Sequence, residues 1–195
     1  MRNITVVAFL ILISALLGYG GQPHPNTHVN SADAYEFQTE TAWIKFTSPE
    51  GRFSVLLQHE PKFEPVSATE SGEVTNYRYS DLESGYGFIC EYFDVKSTGD
   101  DVESFLDVTR DGIIRGAGAT KVSEEKISLK SYPGRELGLA FAVNNGTEIT
   151  ARTRIYLVGN RVYSLTFLHL KSMDALLAAD IGKKFFSSFE LKPAQ

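Results

Sequence analysis

A chain of 195 residues with 43% hydrophobic and 12% aromatic side chains can fill one substantial core and is short for two domains. Its 19 Lys plus Arg against 24 Asp plus Glu leave a formal charge of −5, which excludes a broad electrostatic footprint for nucleic acid. Cys90 is the single cysteine, so no internal disulfide staples the fold and its core must hold it.

Residues 1–20 carry Arg2 near the start, an apolar run from Ile4 to Leu17, and the small residues Gly18 and Gly20. This is the pattern of a secretory signal peptide, and the run is shorter than the roughly 20 residues a spanning helix needs. The expected location is therefore extracytoplasmic, periplasmic or secreted, with no stable membrane span after cleavage. Residues 21–42 mix Pro, His, Asn, Ser and Thr without a sustained period and read as a flexible leader. His24 and His28 lie there without the further ligands a metal site requires.

The single domain expected over residues 43–192 opens with Trp43 to Ser48, alternating large apolar and polar residues, a Pro49-Glu50-Gly51 turn, and a strand from Phe53 to Leu57. Pro61 and Pro65 break regularity before strands over Val74–Ser80 and Gly87–Asp94, so four strands precede the first helix. From Asp100 the period changes. Val102, Phe105, Leu106, Thr109 and Ile113 recur at three and four residues, Asp100 or Asp101 caps the start, and Gly116 and Gly118 end the helix. A strand over Lys121–Leu129 follows.

Ser131 to Leu170 reads as three strands joined by turns at Asn145-Gly146 and Gly159-Asn160, where positive φ is tolerated. A second helix spans Met173 or Asp174 to Ser188, and Phe189-Glu190-Leu191 supplies a short last strand. Many strands and two helices, without strict βαβ alternation, define an α+β class with a mainly antiparallel sheet.

The simplest register pairs Val143 with Glu148 and Val158 with Arg161. One face of the meander then carries Glu136, Gly138, Ala140, Ala142, Ala151, Thr153, Ile155 and Leu157, and its small middle residues are expected beneath a helix lying across Gly138, Ala140 and Ala151. The other face carries Arg135, Leu137, Leu139, Phe141, Arg152, Arg154, Tyr156, Tyr163, Leu165, Phe167 and His169. Both faces need cover, which favours an α/β/α sandwich around the central sheet.

Specific catalytic chemistry is not legible. No GxSxG stretch occurs, and His169 reads as a strand residue rather than part of a nucleophilic triad. The glycines from Gly112 to Gly118 lack the spacing and lysine of a phosphate loop. Asp100-Asp101 and Glu124-Glu125 lack calcium-loop spacing, and Asn145-Gly146-Thr147 is explained as a turn before it is a glycosylation acceptor. Cys90 reads as a buried small hydrophobe. The constellation that remains is Arg135, Arg152, Arg154, Tyr156 and Tyr163, a cationic aromatic surface suited to forked hydrogen bonds with a carboxylate or other anion.

Four segments resemble the PsbP-like group, the secreted bacterial relatives of the photosystem II extrinsic protein. They are Trp43 to Val55, Tyr132-Pro133-Gly134-Arg135-Glu136, Arg154 to Tyr163, and Phe185-Phe186-Ser187-Ser188-Phe189. The resemblance covers Trp43 to Leu191 and implies an α/β/α sandwich and a non-enzymatic accessory or binding role, without assigning functional residues. The expectation is a binding module for a protein or cell-envelope partner, without cofactor or metal. A small anionic or aromatic ligand on the arginine and tyrosine face is the alternative, and an unrecognised hydrolase a remote one.

Overall fold

The computed structural model describes residues 42–67, 75–83, 85–96, 98, 101–143 and 146–193. The signal segment 1–20, the leader up to residue 41, and Asp100 and Asn145 lie outside the described residues.

Among the described residues five strands precede helix α1: β1 (Ile44–Ser48), β2 (Phe53–Leu57), β3 (Lys62–Ser67), β4 (Thr75–Leu82) and β5 (Tyr86–Asp94). The unexpected one is β3, where Pro61 and Pro65 argued for irregular chain. It lies at a sheet edge and pairs with β4 alone, Pro65 opposite Tyr77. An edge strand has no second neighbour to receive its N–H groups, so a proline is tolerated there.

Helix α1 (Val102–Ala117) starts where the period changes. Asp101 accepts hydrogen bonds from the backbone N–H groups of Glu103 and Ser104, and Gly118 ends the helix at φ 57°. The meander follows as β6 (Thr120–Leu129), β7 (Tyr132–Ala142), β8 (Glu148–Val158) and β9 (Arg161–Leu170). Helix α2 (Ala175–Ser187), capped by Asp174, and the two-residue β10 (Glu190–Leu191) close the described chain.

All pairings are antiparallel, and they form two sheets rather than one: a seven-stranded sheet in the order β3-β4-β5-β9-β8-β7-β6 and a small sheet in the order β1-β2-β10. The α+β class and the antiparallel pairing agree with the sequence reading. Between β5 and β6 the chain crosses to the far edge of the large sheet through α1, and the meander then returns strand by strand until β9 pairs with β5.

Two cores lie on the two faces of the large sheet. On one, Leu106 and Ile113 of α1 pack with Ile89, Phe93, Leu137, Leu139, Ile149, Ile155 and Val162. On the other, Phe53, Val55 and Leu57 of β2 and Phe185 and Phe186 of α2 pack with Phe88, Tyr92, Tyr163, Leu165 and Phe167.

The second turn of the meander has the expected register, Val158 opposite Arg161. The first does not. Ala142, rather than Val143, stands opposite Glu148, and Val143 instead donates its N–H to the Thr147 carbonyl at 3.0 Å. Side chains alternate along a strand, so this one-residue change turns every β7 side chain to the other face relative to β8 and β9. Arg135, Leu137 and Leu139 thus join Ala151, Thr153 and Ile155 on the α1 face, while Glu136, Gly138 and Ala140 join Arg152, Arg154 and Tyr156 on the α2 face.

Gly134 in the Tyr132-Pro133-Gly134 entry to β7 is required by close approach. A Cβ there would stand 2.3 Å from the Ile155 carbonyl oxygen and 2.7 Å from the Tyr156 ring. Because one obstacle is backbone, relief means moving a strand. Gly134→Ala is expected to cost about 1–3 kcal/mol, measured by urea unfolding, and a loss within a few tenths would show that β7 and β8 separate easily.

Candidate functional site

The turned register leaves the small residues of β7 without a helix across them. Ala151 is buried in the α1 core, but Gly138 and Ala140 face the opposite way and line a concavity of about 790 Å³ between the β6 to β9 end of the sheet and the first turns of α2. The expected helix over Gly138, Ala140 and Ala151 is therefore corrected: the three do not share a face. Val122 and Ser123 of β6 and Ala175, Ala178 and Ala179 of α2 contribute to its walls, with Thr150, Arg152, Phe167 and His169 of β8 and β9. The lining is mainly apolar, and Val122, 70% exposed, stands at its edge.

Arg152 is the guanidinium of this groove. Its Cζ lies 5.2 Å from the centre of the Phe186 ring, and α2 passes over it at Gly182, where an added Cβ would stand 2.7 Å from Arg152 Nη2. Among the described residues no carboxylate lies within ion-pair distance of Arg152. Its neighbour Arg154 also rests over Phe186, at 4.7 Å, but its Nε donates to Glu136 Oε2 at 2.5 Å. The two arginines are thus alike in stacking and different in charge balance. His169 stacks on Phe167, and its Nδ1 lies 2.8 Å from the Leu170 carbonyl oxygen, the geometry of a donor.

The five residues expected to form one surface occupy four environments. Arg152 lines the large groove. Arg154 and Tyr156 border a second recess of about 560 Å³ with Lys126, Ile127 and Ser128. Tyr156 stacks on Phe189, and burial raises its phenol above the usual range. Tyr163 is sealed in the core and donates to the Gly51 carbonyl oxygen at 2.8 Å, pinning the β1–β2 turn to the large sheet.

Arg135 lies on the opposite face, 3% exposed, beneath α1. Its Nη2 meets Glu103 at 2.5 Å and Asp107 at 3.3 Å, and its Nε meets Glu124 of β6 at 3.5 Å. Those contacts clamp α1 to β6 and β7. Glu136, Gly138 and Ala140 are the site residues that sequence reasoning put on the wrong face; the alternation was read correctly, and only the turn length displaced them. Cys90 is buried as expected, and burial pushes its thiol up.

Fold and site together define an α+β protein with a PsbP-like fold and a groove on one face of its antiparallel sheet. The solution structure of cyanobacterial PsbP from Synechocystis sp. PCC 6803 superposes with a TM-score of 0.51 at 12% identity, over 84% of this chain and 98% of that one. LpqN of Mycobacterium tuberculosis, involved in cell envelope biogenesis, matches at TM-score 0.45 and 12% identity over 77% of this chain and 79% of its own. The Ran-binding protein Mog1p of Saccharomyces cerevisiae matches at TM-score 0.45 and 8% identity, over 77% and 96%. A scan against protein-family models and a search of curated proteins found no match. At such identities the likeness is one of fold, and the cyanobacterial protein carries it. Among the described residues no helix is long and apolar enough to cross a membrane.

Proposed function

We propose that the protein is an extracytoplasmic, non-enzymatic binding module, periplasmic or secreted, whose groove beside α2 receives a segment of a protein or cell-envelope partner. In this reading residues 1–20 are removed on export, residues 21–42 are a leader, and 43–192 form one α/β/α sandwich. The observation that carries it is the groove over Gly138 and Ala140. Ala140 within the strand lets another backbone approach the sheet closely, while the Ser123 hydroxyl fills the space a side chain on Gly138 would take. Exposed apolar surface continues at the rim, where Val122 on β6 is 70% exposed beside the groove. An apolar surface extending beyond a concavity fits a polypeptide better than a molecule contained in it.

A photo-crosslinking residue at Ala140 is expected to give a discrete adduct in the cell envelope. The adduct should vanish when Ala179→Trp fills the groove, and the same residue at Lys62, on the far sheet edge, should give none. Equal labelling from both positions, or none from Ala140, would refute the groove as the contact surface.

A second reading is favoured by Arg152 alone: a half-buried guanidinium without a carboxylate partner among the described residues suits the head of a small anionic amphiphile whose tail lies on the alanines. With dodecanoate as probe, the melting temperature is expected to rise. Arg152→Met should weaken that binding by about tenfold to a hundredfold, the worth of one or two charge-assisted hydrogen bonds. Arg154, neutralised by Glu136, and Tyr156 border the neighbouring recess and take a lesser part. An unchanged shift in Arg152→Met removes this reading and leaves the first intact.

A further inference from the structure

The end of β4 and the chain just after β2 bring together three side chains that do not line the groove. His59 Nδ1 is 3.0 Å from Asp81 Oδ1 and 3.4 Å from Glu83 Oε1, and one ligand atom from each residue falls within 4.8 Å of the other two. An imidazole and two carboxylates at this spacing offer one nitrogen and two oxygen donors of the types that ligate a metal ion. In a tetrahedral zinc site with bonds of 2.0–2.1 Å, neighbouring ligand atoms are about 3.3 Å apart, and the two distances to His59 Nδ1 bracket that value.

The arrangement is also held in place before any ion arrives. Asp81 is buried, and its Oδ2 accepts from the backbone N–H groups of Gln58 at 2.9 Å and His59 at 3.0 Å. These bonds fix the carboxylate plane and leave Oδ1 directed at the imidazole, as outer hydrogen bonds orient ligands in metal sites. Gln58 is held in turn by the Tyr86 hydroxyl, which donates to its Oε1. Glu83 follows β4 and is anchored through its N–H to the Tyr86 carbonyl oxygen at 3.0 Å. His59 and Glu83 have half-exposed side chains, so a fourth position is open to water.

We propose that His59, Asp81 and Glu83 form a binding site for a divalent transition-metal ion of zinc type, which ties the small sheet to the large one. His59 belongs to the chain leaving β2, Asp81 to the end of β4 and Glu83 to the residue just after it, so a bound ion joins the two sheets at that corner. The mixed nitrogen and oxygen set favours zinc over magnesium, which takes oxygen ligands and sheds water reluctantly.

The test is calorimetric titration of the metal-stripped full chain with ZnCl2, in a His24→Gln and His28→Gln background so that the leader imidazoles do not contribute. One equivalent is expected to bind and to raise the melting temperature. His59→Gln and Glu83→Gln should each weaken binding by about tenfold or more while leaving the metal-free melting temperature near that of the parent. Asp81→Asn should weaken it as well and also lower metal-free stability, because Asp81 holds two backbone N–H groups. Absence of zinc binding, unchanged affinity in His59→Gln and Glu83→Gln, or an equal response to MgCl2 that ignores His59→Gln would each overturn the assignment.

Discussion

Arg78→Met is expected to destabilise the protein by about 3–5 kcal/mol at neutral pH, because it strips the cation from a buried carboxylate. Arg78 on β4 and Glu91 on β5 stand directly opposite each other, with Nε 2.7 Å from Oε1 and both side chains almost wholly buried. Asn76 adds a donor, its Nδ2 lying 3.0 Å from the same oxygen. Even with these partners, desolvation by burial wins over Arg78 and raises the Glu91 carboxyl above its ordinary range.

The sign of the pH dependence follows from that shift. A group whose folded pKa is raised contributes stability fully present below its unfolded pKa and lost as pH climbs through the folded value. Removing Arg78 raises Glu91 further, so the mutant should lose most at neutral pH and progressively less as pH falls through the mildly acidic range and the carboxyl takes up a proton. Urea unfolding across that window checks it. The double variant Arg78→Met with Glu91→Leu should recover most of the loss, since a buried pair replaced by apolar groups is often near neutral. A loss that is flat with pH, or no recovery in the double variant, would show that Arg78 acts through packing and not through its charge.

Phe53→Ala is the second large effect, expected at about 3–5 kcal/mol. Phe53 is 1% exposed and is the member of β2 on which the small sheet meets the large one. Its ring centre lies 5.6 Å from Phe189, 6.0 Å from Tyr79, 6.2 Å from Tyr163 and 6.4 Å from Tyr92. Truncation opens a void among rings fixed on the large sheet and at Phe189, and rigid aromatic neighbours collapse poorly into it. Trp43, the single tryptophan, packs 5.5 Å from Phe88 on the same side and reports the outcome. Its emission should shift to the red in native buffer as the small sheet loosens. Unfolding that costs under about 1 kcal/mol, with unchanged emission, would mean that the two sheets are held together elsewhere.

Both residues bear on how the site was read. Phe53 lies in the Trp43 to Val55 segment that carried the family resemblance, and its burial explains that pattern as the seam between sheets rather than as a functional motif. Arg135, in the second such segment, is likewise explained by its three carboxylates beneath α1. An arginine on a strand does not disclose in sequence whether it meets solvent, a ring or an acid from a distant helix. The pairing of Arg154 with Glu136 fits the plainer reading of strand arginines answered by acids at the sheet rim, and it depends on which face of β7 looks toward α2, which was reversed by one residue in a turn.

What local chemistry determined was the list of elements apart from β3. The change of period at α1, the capping aspartates Asp101 and Asp174, and the Gly159-Asn160 turn act over a few residues, so helices and meander strands are legible from neighbours alone. Only the tertiary structure decided which side chains meet. The β7–β8 register, the edge position that admits Pro65 in β3, the separation of β1, β2 and β10 into their own sheet, and the meeting of His59 with Asp81 and Glu83 all depend on contacts between segments distant in the chain. Alternation tells which residues share a side, but a turn one residue longer exchanges the sides. Here that exchange placed Gly138 and Ala140 in an open groove beside Arg152 instead of under a helix.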